Sequence, residues 1–316
     1  MRSSRGLWKY SCRLRLSYLN YSHQYGNSLG GLMDFTDKLK GRVALVAGAT
    51  RGAGRGIACM LGEAGATVYC TGRSLRGNPS DKRRPETIEE TAEMVTARGG
   101  NGIFVQVDHT DREQVRALFE RVRQEQNGRL DVLVNDLTGD GNMEFKSFLE
   151  HSLEKGLKLL ENGSLSHLIT SYYGAPLMIN NGGGLIIEMT DGVSNELREF
   201  NFYYDLEKAL NIRLAQSLAH QLRLHKIAVV SLTPGFLRSE EMLDHFGVTE
   251  ATWREAIQQD KGFAYSETPF YVGKAVVTLA CEPKIMHKTG QALISGKLAR
   301  EYGFTDIDGT QPVWCY

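Results

Sequence analysis

The sequence predicts an α/β fold, in which a doubly wound parallel sheet carries helices on both faces within a single domain. A short apolar run, from Val43 to Ala47, leads into a glycine-rich turn and then into a helical pattern. Strand and helix patterns alternate along the rest of the chain with short connections. Repeated β-α units of this kind require a parallel sheet with right-handed crossovers.

The predicted elements follow in order, each between turn signals. Gly65 ends the first helix, Gly99 and Gly100 end the second, and Asp111 caps the third. The predicted strands span residues 42–47, 66–71, 103–107, 130–134, 185–189, 227–232 and 291–294. The predicted helices span about 53–64, 85–98, 112–126, 165–180, 200–223 and 267–281, with two short helices within 239–259. Residues 136–162 are less regular.

Length and composition fit this fold and exclude several partners. The chain has 316 residues, of which 41% are hydrophobic, enough for a full core. Lys and Arg total 37 and Asp and Glu total 37, so there is no basic excess for nucleic acid. No apolar run approaches the roughly 20 residues that a membrane helix needs. We therefore expect neither nucleic acid nor membrane as a partner.

The cysteines indicate a reducing compartment. They are scattered and odd in number, and no Cys-x-x-Cys pair occurs, so neither a zinc site nor a disulfide framework is indicated. The five are Cys12, Cys59, Cys70, Cys281 and Cys315. We expect a cytoplasmic protein with no bound metal.

The N-terminal segment differs from the rest of the chain. It is rich in Arg, Ser and Tyr, and no acidic residue precedes Asp34. This composition resembles a mitochondrial presequence, but no clear amphipathic period emerges. We interpret residues 1–32 as a disordered or mis-started extension and expect the domain to span 33–316, with mitochondrial targeting as the alternative.

The turn after the first strand is suited to a pyrophosphate. Strand, glycine turn and helix together present backbone N–H groups and a helix N-terminus to an anion. Gly48 permits the sharp turn, Gly52 lets the backbone approach phosphates, and Gly54 lets the helix pack close to the strand. This is the pattern of a Rossmann-like nucleotide site; the alternative is a glycine-rich connection without a ligand.

Ligands of doubly wound sheets bind at the carboxyl ends of the strands. Several residues that carry chemistry fall at predicted carboxyl ends: Gly48, Arg73, Asp108, Asn135, Asp191 and Pro234. Their shared edge is a stronger indication of a site than any one motif.

Tyr204 and Lys208 lie four residues apart on the long predicted helix, so they share a face. Free tyrosine has a pKa of about 10, too high for a base at neutral pH, but a nearby ammonium lowers it. Such a pair can move a proton to or from an alcohol or carbonyl oxygen while hydride moves at carbon. Taken alone, the same spacing is also typical of a solvated surface pair.

As a set, these motifs resemble the family of short-chain dehydrogenases/reductases over residues 38–300. The matching motifs are the run Gly48 to Gly54, Asp108, the run Leu130 to Asn135, Tyr204 with Lys208, and Pro234-Gly235. Thr71-Gly72-Arg73 and the run Leu298 to Gly303 look like the branch of dehydrogenase/reductase member 1 and its bacterial relatives. The resemblance implies a small carbonyl or alcohol substrate. It also implies a homodimer or homotetramer, paired through the helices near 165–180 and 200–223.

The resemblance also implies a role for each matched residue. Tyr204 would be the general acid/base, and Lys208 would bind the nicotinamide ribose and depress the pKa of Tyr204. Asp108 would contact the adenine, and Asn135 would support the sheet near the ribose. The loop residues that would bind the cofactor, with the three glycines at its pyrophosphate, are Gly48, Thr50, Arg51, Gly52, Ala53 and Gly54. The residues that would border the nicotinamide are Pro234 and Gly235.

The cofactor choice follows from charge. An acid at the end of the second strand would bind the ribose 2′-hydroxyl and select NAD. This chain has Thr71-Gly72-Arg73 there and Arg51 within the glycine turn. Two guanidinium groups suit a 2′-phosphate, so we expect NADP(H) in preference to NAD(H).

The position usually held by a catalytic serine, thirteen residues before the tyrosine, is Asp191 here. Ionised, Asp191 can only accept hydrogen bonds and would repel a developing alkoxide. Thr190 or Ser194 could take the role of the serine, or Asp191 could be held protonated and donate.

Two further departures concern the cofactor side. The usual Asn-Asn-Ala-Gly is here Asn135-Asp136-Leu137-Thr138, and an asparagine common in the following helix aligns near Gly163, beside Asn162.

The segment 236–270 is rich in aromatic residues and commonly covers the substrate in this fold, which predicts an apolar or aromatic carbonyl substrate. Ordinary packing of two amphipathic helices would produce the same pattern. We therefore predict an NADP(H)-dependent oxidoreductase that interconverts a carbonyl and an alcohol. The alternative is a catalytically impaired NADP(H)-binding sensor or interaction protein, because of Asp191.

Overall fold

Parallel strands in the order β3-β2-β1-β4-β5-β6-β7 form the central sheet. The computed structural model describes residues 35–81, 84–139, 144, 146–193 and 201–314. The interpretation of residues 1–32 and the suggested role of Ser194 lie outside these residues. The strands are β1 (Val43–Ala47), β2 (Thr67–Gly72), β3 (Asn101–Gln106), β4 (Val132–Asn135), β5 (Gly184–Met189), β6 (Ile227–Thr233) and β7 (Ala292–Ile294).

Helices connect successive strands and cover both faces of this sheet. They are α1 (Gly52–Glu63), α2 (Ile88–Ala97), α3 (Arg112–Glu125), α4 (Leu153–Leu160), α5 (Ser166–Asn180), α6 (Phe202–Leu222), α7 (Glu240–Phe246), α8 (Pro269–Cys281) and α9 (Ser295–Tyr302). A π-helical turn, Glu161–Leu165, joins α4 directly to α5.

Two apolar layers hold the sheet between the helices. On one face α1, α2 and α8 bury side chains such as Ile57, Val95 and Val276. On the other face α3, α5 and α6 bury Phe119 and Met178, among others. Every residue of β1 is buried, as expected for a parallel strand covered on both faces. The predicted doubly wound, Rossmann-like fold is confirmed.

Two helices were not predicted from the sequence. Helix α4 lies within residues 136–162, which were expected to be irregular, and α9 follows the last strand. Glycine disfavours a helix interior. Gly156 interrupts the apolar period within α4, and Gly163 interrupts it in the π-helical turn that follows. Their packing explains their presence: a Cβ on Gly156 would lie 2.4 Å from Cζ of Tyr203 on α6. Tertiary contact thus overrides local propensity here.

Several features are absent from the part of the chain that the structure describes. None of its helices is both long enough and apolar enough to cross a membrane. Cys59, Cys70 and Cys281 are free thiols there. No group of three or more His, Cys, Asp or Glu side chains among those residues is arranged to hold a metal ion.

The contact between Gly156 and the Tyr203 ring predicts the effect of a single methyl group. Gly156→Ala should lower the free energy of unfolding by roughly 1–3 kcal/mol, because the ring must shift to admit the Cβ. Leu157→Ala, whose side chain is exposed on the same helix, is the control and should change it by less than about 0.5 kcal/mol. Denaturant unfolding measures both. Equal stability of the two variants would contradict the packing described.

Candidate active site

The carboxyl ends of the strands bring the predicted site residues to one edge of the sheet. Gly48 directly follows β1, Arg73 follows β2, and Asn135 ends β4. Asp191 lies two residues beyond β5, and Pro234 directly follows β6. Because all these strands are parallel, the residues face the same side of the fold.

The glycine turn is shaped by two close backbone approaches. Gly48 has φ +92°, and a Cβ on it would lie 2.2 Å from the carbonyl oxygen of Asp136. A Cβ on Gly54 would lie 2.3 Å from the carbonyl oxygen of Gly48, so the first turn of α1 closes directly on the end of β1. Ala53 is buried at the start of α1. Thr50 lies against Gly72. A Cβ added to Gly72 would lie 2.7 Å from the hydroxyl oxygen of Thr50.

A carboxylate from α7 contacts this turn, and no sequence motif predicted the contact. The backbone N–H of Gly52 donates to Oε2 of Glu240, at the start of α7, over 2.8 Å. Arg55 lies 3.6 Å from the other oxygen of the same carboxylate. An anion therefore already occupies the helix N-terminus, as the positive end of the helix dipole favours. The turn is thus built to receive a negatively charged group.

The arginines near the end of β2 are linked by one carboxylate. Nε of Arg51 donates to Oε2 of Glu86 over 3.2 Å, and Nε of Arg84 donates to the same oxygen over 3.1 Å. Burial alone would raise the pKa of Glu86, but hydrogen bonds and charge from Arg84 and Arg51 outweigh it and lower the pKa. Nη2 of Arg51 is buried with no hydrogen-bond partner among the described residues. It can therefore still donate to an added anion.

Arg73 directly follows β2, and its charge acts on Asp108. Burial would raise the pKa of Asp108, but hydrogen bonds from Thr110 and the charge of Arg73 lower it. Oδ1 of Asp108 accepts from the backbone N–H and the hydroxyl of Thr110 over 3.0 Å and 2.7 Å. Asp108 is thus held as a carboxylate, and the charge of Arg73 acts on a different acid from the one that Arg51 contacts.

Tyr204 and Asp191 are in direct contact. Asn201 caps α6 by accepting from the backbone N–H of Tyr204, which lies in the first turn of the helix. The phenol of Tyr204 donates to Oδ2 of Asp191 over 2.9 Å. The sequence placed these two residues in one site, and the structure brings their polar atoms within hydrogen-bond distance.

Lys208 lies one turn further along the same helix. Its Nζ is 4.8 Å from the centroid of the Tyr204 ring and donates to Oε1 of Glu207 over 2.9 Å. The Thr190 hydroxyl, by contrast, donates to the backbone carbonyl of Lys208 over 2.8 Å and is buried. Thr190 therefore positions the helix, whereas Asp191 is the group at the Tyr204 hydroxyl.

Asn135 belongs to a buried polar network beneath the site. Its Nδ2 donates to the Ser171 hydroxyl over 2.9 Å and to Oε2 of Glu188 over 3.0 Å. Nδ1 of His167 lies 2.8 Å from that same carboxylate oxygen, and Nε2 lies 3.0 Å from the carbonyl of Leu137. A carbonyl can only accept, so Nε2 carries a proton. Besides Asn135, the sequence signal for this network was Glu188, a charged residue within the apolar run Leu185 to Met189.

The segment after β6 is held by another buried acid. Glu267 accepts from the backbone N–H of Gly235 over 2.9 Å and from the Ser295 hydroxyl over 2.7 Å. Burial raises the pKa of Glu267 to about 8. The Pro234-Gly235 turn is thus fixed by a carboxyl group that is largely protonated at neutral pH.

The segment 236–270 packs mainly on itself. It contains α7 and two 3₁₀-helices, Trp253–Gln258 and Lys261–Tyr265. Phe263 is fully buried, with ring centroids 5.0 Å from Phe236 and 4.7 Å from Phe246. These rings form a small core of their own, which favours the interpretation of ordinary packing over that of a substrate wall. The segment's role as a lid stays a prediction.

Comparison with known proteins identifies the family. The sequence model described as short chain dehydrogenase matches residues 42–247, from β1 to the end of α7. The chain therefore belongs to the short-chain dehydrogenase family. It is an oxidoreductase of a family that interconverts carbonyl and alcohol groups with a nicotinamide cofactor.

Two curated relatives agree with this assignment, and a solved structure shares the fold. The chain is 38% identical over 283 residues to the human dehydrogenase/reductase SDR family member 1, covering 88% of this chain and 87% of the relative. The mouse protein of that name is 39% identical over 284 residues, with the same two shares. A short chain dehydrogenase crystal structure from Mycobacterium thermoresistibile superposes with a TM-score of 0.73 at 22% identity, covering 87% of this chain and 92% of the other.

The buried Glu267 predicts a pH-dependent stability. Its pKa is raised in the folded state, so the folded chain binds a proton that the unfolded chain releases above about pH 4.5. The contribution of Glu267 to the free energy of unfolding should therefore fall as pH rises from about 4.5 to about 8, by at most about 1.4 kcal/mol per pH unit. Glu267→Gln should remove this contribution, whereas Glu63→Gln, which changes an exposed acid at the end of α1, should keep it. An unchanged slope in Glu267→Gln, measured by denaturant unfolding, would contradict the assignment.

Proposed function

We propose that this chain is an NADP(H)-dependent oxidoreductase that interconverts a carbonyl and an alcohol, with Tyr204 as the general acid/base and Lys208 as its partner. One observation carries the proposal. The Tyr204 hydroxyl lies at the carboxyl edge of the sheet within hydrogen-bond distance of Asp191, and the Lys208 ammonium lies 4.8 Å from its ring. A proton donor and a charge that stabilises its conjugate base therefore lie together.

The residues present fit a dinucleotide. A Cβ at Gly48 or Gly54 would clash with the backbone carbonyls that shape the glycine turn, and the Gly52 N–H already donates to the Glu240 carboxylate. When bound, the nicotinamide supplies or accepts the hydride. In the reductive direction Tyr204 gives its phenolic proton to the carbonyl oxygen, and the Lys208 ammonium stabilises the phenolate that remains.

The preference for NADP(H) rests on the arginines. Nη2 of Arg51 has an open donor position, and Arg84 adds a second guanidinium to the same cluster. Their shared partner Glu86 is negatively charged and would repel a phosphate. The preference therefore depends on the attraction of the phosphate to both arginines exceeding its repulsion by this one carboxylate. Arg73, which lies near Asp108, contributes charge from the other side.

The proposed partners are a small-molecule carbonyl or alcohol and a second copy of the chain. Helices α5 and α6 leave Leu168, Tyr172 and Leu210 exposed, and large exposed apolar patches often mark protein interfaces. This supports a homodimer or homotetramer paired through those helices. The three cysteines in the described part of the chain are free thiols, which supports a reducing, cytoplasmic setting.

A catalytically impaired NADP(H)-binding protein is the second candidate, and the Asp191 contact is the observation that favours it. An ionised carboxylate beside the Tyr204 hydroxyl competes with the substrate oxygen for the phenolic proton and repels a developing alkoxide. Such a protein would bind the cofactor without turning it over and would report redox state or recruit a partner.

Cofactor titration tests the nucleotide preference. The chain from residue 33 onward should bind NADPH more tightly than NADH by calorimetry. Arg51→Ala should weaken NADPH binding by roughly 10-fold while leaving NADH binding within about 2-fold, because a charge-assisted hydrogen bond to phosphate is lost. Arg116→Ala, which removes an exposed arginine on α3, is the matched control. Equal affinity for the two cofactors would refute the preference, and no binding of either would refute both candidate functions.

Kinetics separates the two candidate functions. Tyr204→Phe should lower kcat for NADPH-dependent reduction of a carbonyl panel by roughly 100-fold or more, since the proton donor is removed. Tyr203→Phe is the control, because that neighbouring ring packs against His151, with centroids 4.7 Å apart. Asp191→Ser should leave kcat within about 10-fold of the wild type. An inactive wild type together with a large gain in Asp191→Ser would establish the impaired protein instead.

A further inference from the structure

Glu207 is a fully buried carboxylate beside the proposed active site. It precedes Lys208 on α6, and its Oε1 accepts a hydrogen bond from the Lys208 Nζ over 2.9 Å. The Lys208 side chain is itself only 11% exposed. A buried carboxylate is tolerated where a cation and hydrogen bonds compensate for its lost hydration, so this pair is tightly linked.

The π-helical turn provides the space for this carboxylate. A Cβ on Gly163 would lie 2.3 Å from both Cδ and Oε1 of Glu207, so no larger residue fits at that position without displacing the acid. The Ser164 hydroxyl donates to the Glu207 carbonyl over 3.2 Å, and Asn211 donates to the Gly163 carbonyl over 3.0 Å. Two contacts between α6 and the turn therefore fix where the Glu207 side chain lies.

The neighbours of the Lys208 ammonium include groups of two different kinds. Its positive charge favours the phenolate form of Tyr204, 4.8 Å away, and the Glu207 carboxylate offsets part of that charge. We infer that Glu207 is a positioning residue, which holds the Lys208 ammonium on the Gly163 side of the site and tunes the acidity of Tyr204. The inference rests on the proposed function for the role of Tyr204 as proton donor.

Titratable groups lie near Glu207 on several elements of the described part of the chain. Lys208 and Tyr204 lie on its own helix, and Asp191 reaches Tyr204 from the end of β5. On the π-helical turn, Glu161 pairs with Lys158 of α4 at the surface, over 2.8 Å and with both side chains nearly half exposed. The Glu161 and Lys158 pair is thus largely screened by solvent, whereas Glu207 is not.

Glu207→Gln tests the inference, because it keeps the shape of the side chain and removes the charge. The Tyr204 phenol should then titrate roughly half to one pH unit lower, since less negative charge remains near Lys208. The midpoint is measured from tyrosinate absorbance, as the difference between each protein and the same protein carrying Tyr204→Phe. The pH at which carbonyl reduction falls should move down by the same amount. Glu161→Gln is the matched control and should leave both midpoints unchanged.

Two further variants keep the result decisive. Glu207→Asp retains the charge and should return the midpoint toward the wild-type value. If Glu207→Gln does not fold, Gly163→Ala displaces the carboxyl group by contact and should lower the midpoint in the same direction. An unshifted Tyr204 midpoint in the folded variant would overturn the inference. The proposed function fails separately: wild-type protein that reduces no carbonyl, yet shows the shift, would refute the function and retain the electrostatic role of Glu207.

Discussion

The packing of α6 against β5 and the π-helical turn is the constraint on which the rest of the site depends. Thr190 donates to the Lys208 carbonyl, Ser164 donates to the Glu207 carbonyl, and Asn211 donates to the carbonyl of Gly163. These are side-chain bonds to main-chain groups, made beside the residues that carry chemistry. They fix the rotation of α6 and its position along the sheet. As a result, the face of α6 that bears Tyr204 lies at the carboxyl edge of the strands. A small rotation of α6 would separate Tyr204 from Asp191 and expel Glu207 from its space.

Buried acids concentrate at this same edge, and each is compensated differently. Glu188 contacts His167, Asn135 and Ser171, Glu207 contacts Lys208, and Glu267 is held largely protonated by burial. A buried charge is costly unless it is paired, so each acid demands a partner at a defined place. Each acid therefore fixes the position of a neighbouring group: Glu188 fixes Asn135, Glu207 fixes Lys208, and Glu267 fixes the Gly235 turn. The same groups make the site less stable than an apolar core of equal volume would be, which is the usual cost of a functional site.

The local signals in the sequence predicted the scaffold well. Three of these signals depend only on near neighbours in the chain: the apolar run before Gly48, the alternation of elements, and the spacing of Tyr204 and Lys208. From them the parallel sheet and the edge that carries the site could be predicted. Helix α4 did not follow, because Gly156 and Gly163 are explained only by Tyr203 and Glu207, some forty residues downstream. The acids that hold the site were missed for the same reason. The partners of Glu267 lie on the turn after β6 and at the start of α9, and the Gly52 N–H that binds Glu240 precedes it by 188 positions. Local periodicity carries no information about such contacts.

The replacement of a serine by Asp191 changes what the proposed site can do more than any other feature. A serine hydroxyl both accepts and donates, so it can receive a bond from Tyr204 and still donate to a substrate oxygen. An ionised Asp191 does only the first, and its hydrogen bond stabilises the protonated form of Tyr204. A protonated Tyr204 is the form needed to give a proton to a carbonyl oxygen. The offset of the Lys208 charge by Glu207 acts in the same direction. Under the proposed function, both acids therefore keep Tyr204 in the protonated form that carbonyl reduction starts from, whereas alcohol oxidation needs the phenolate as a base.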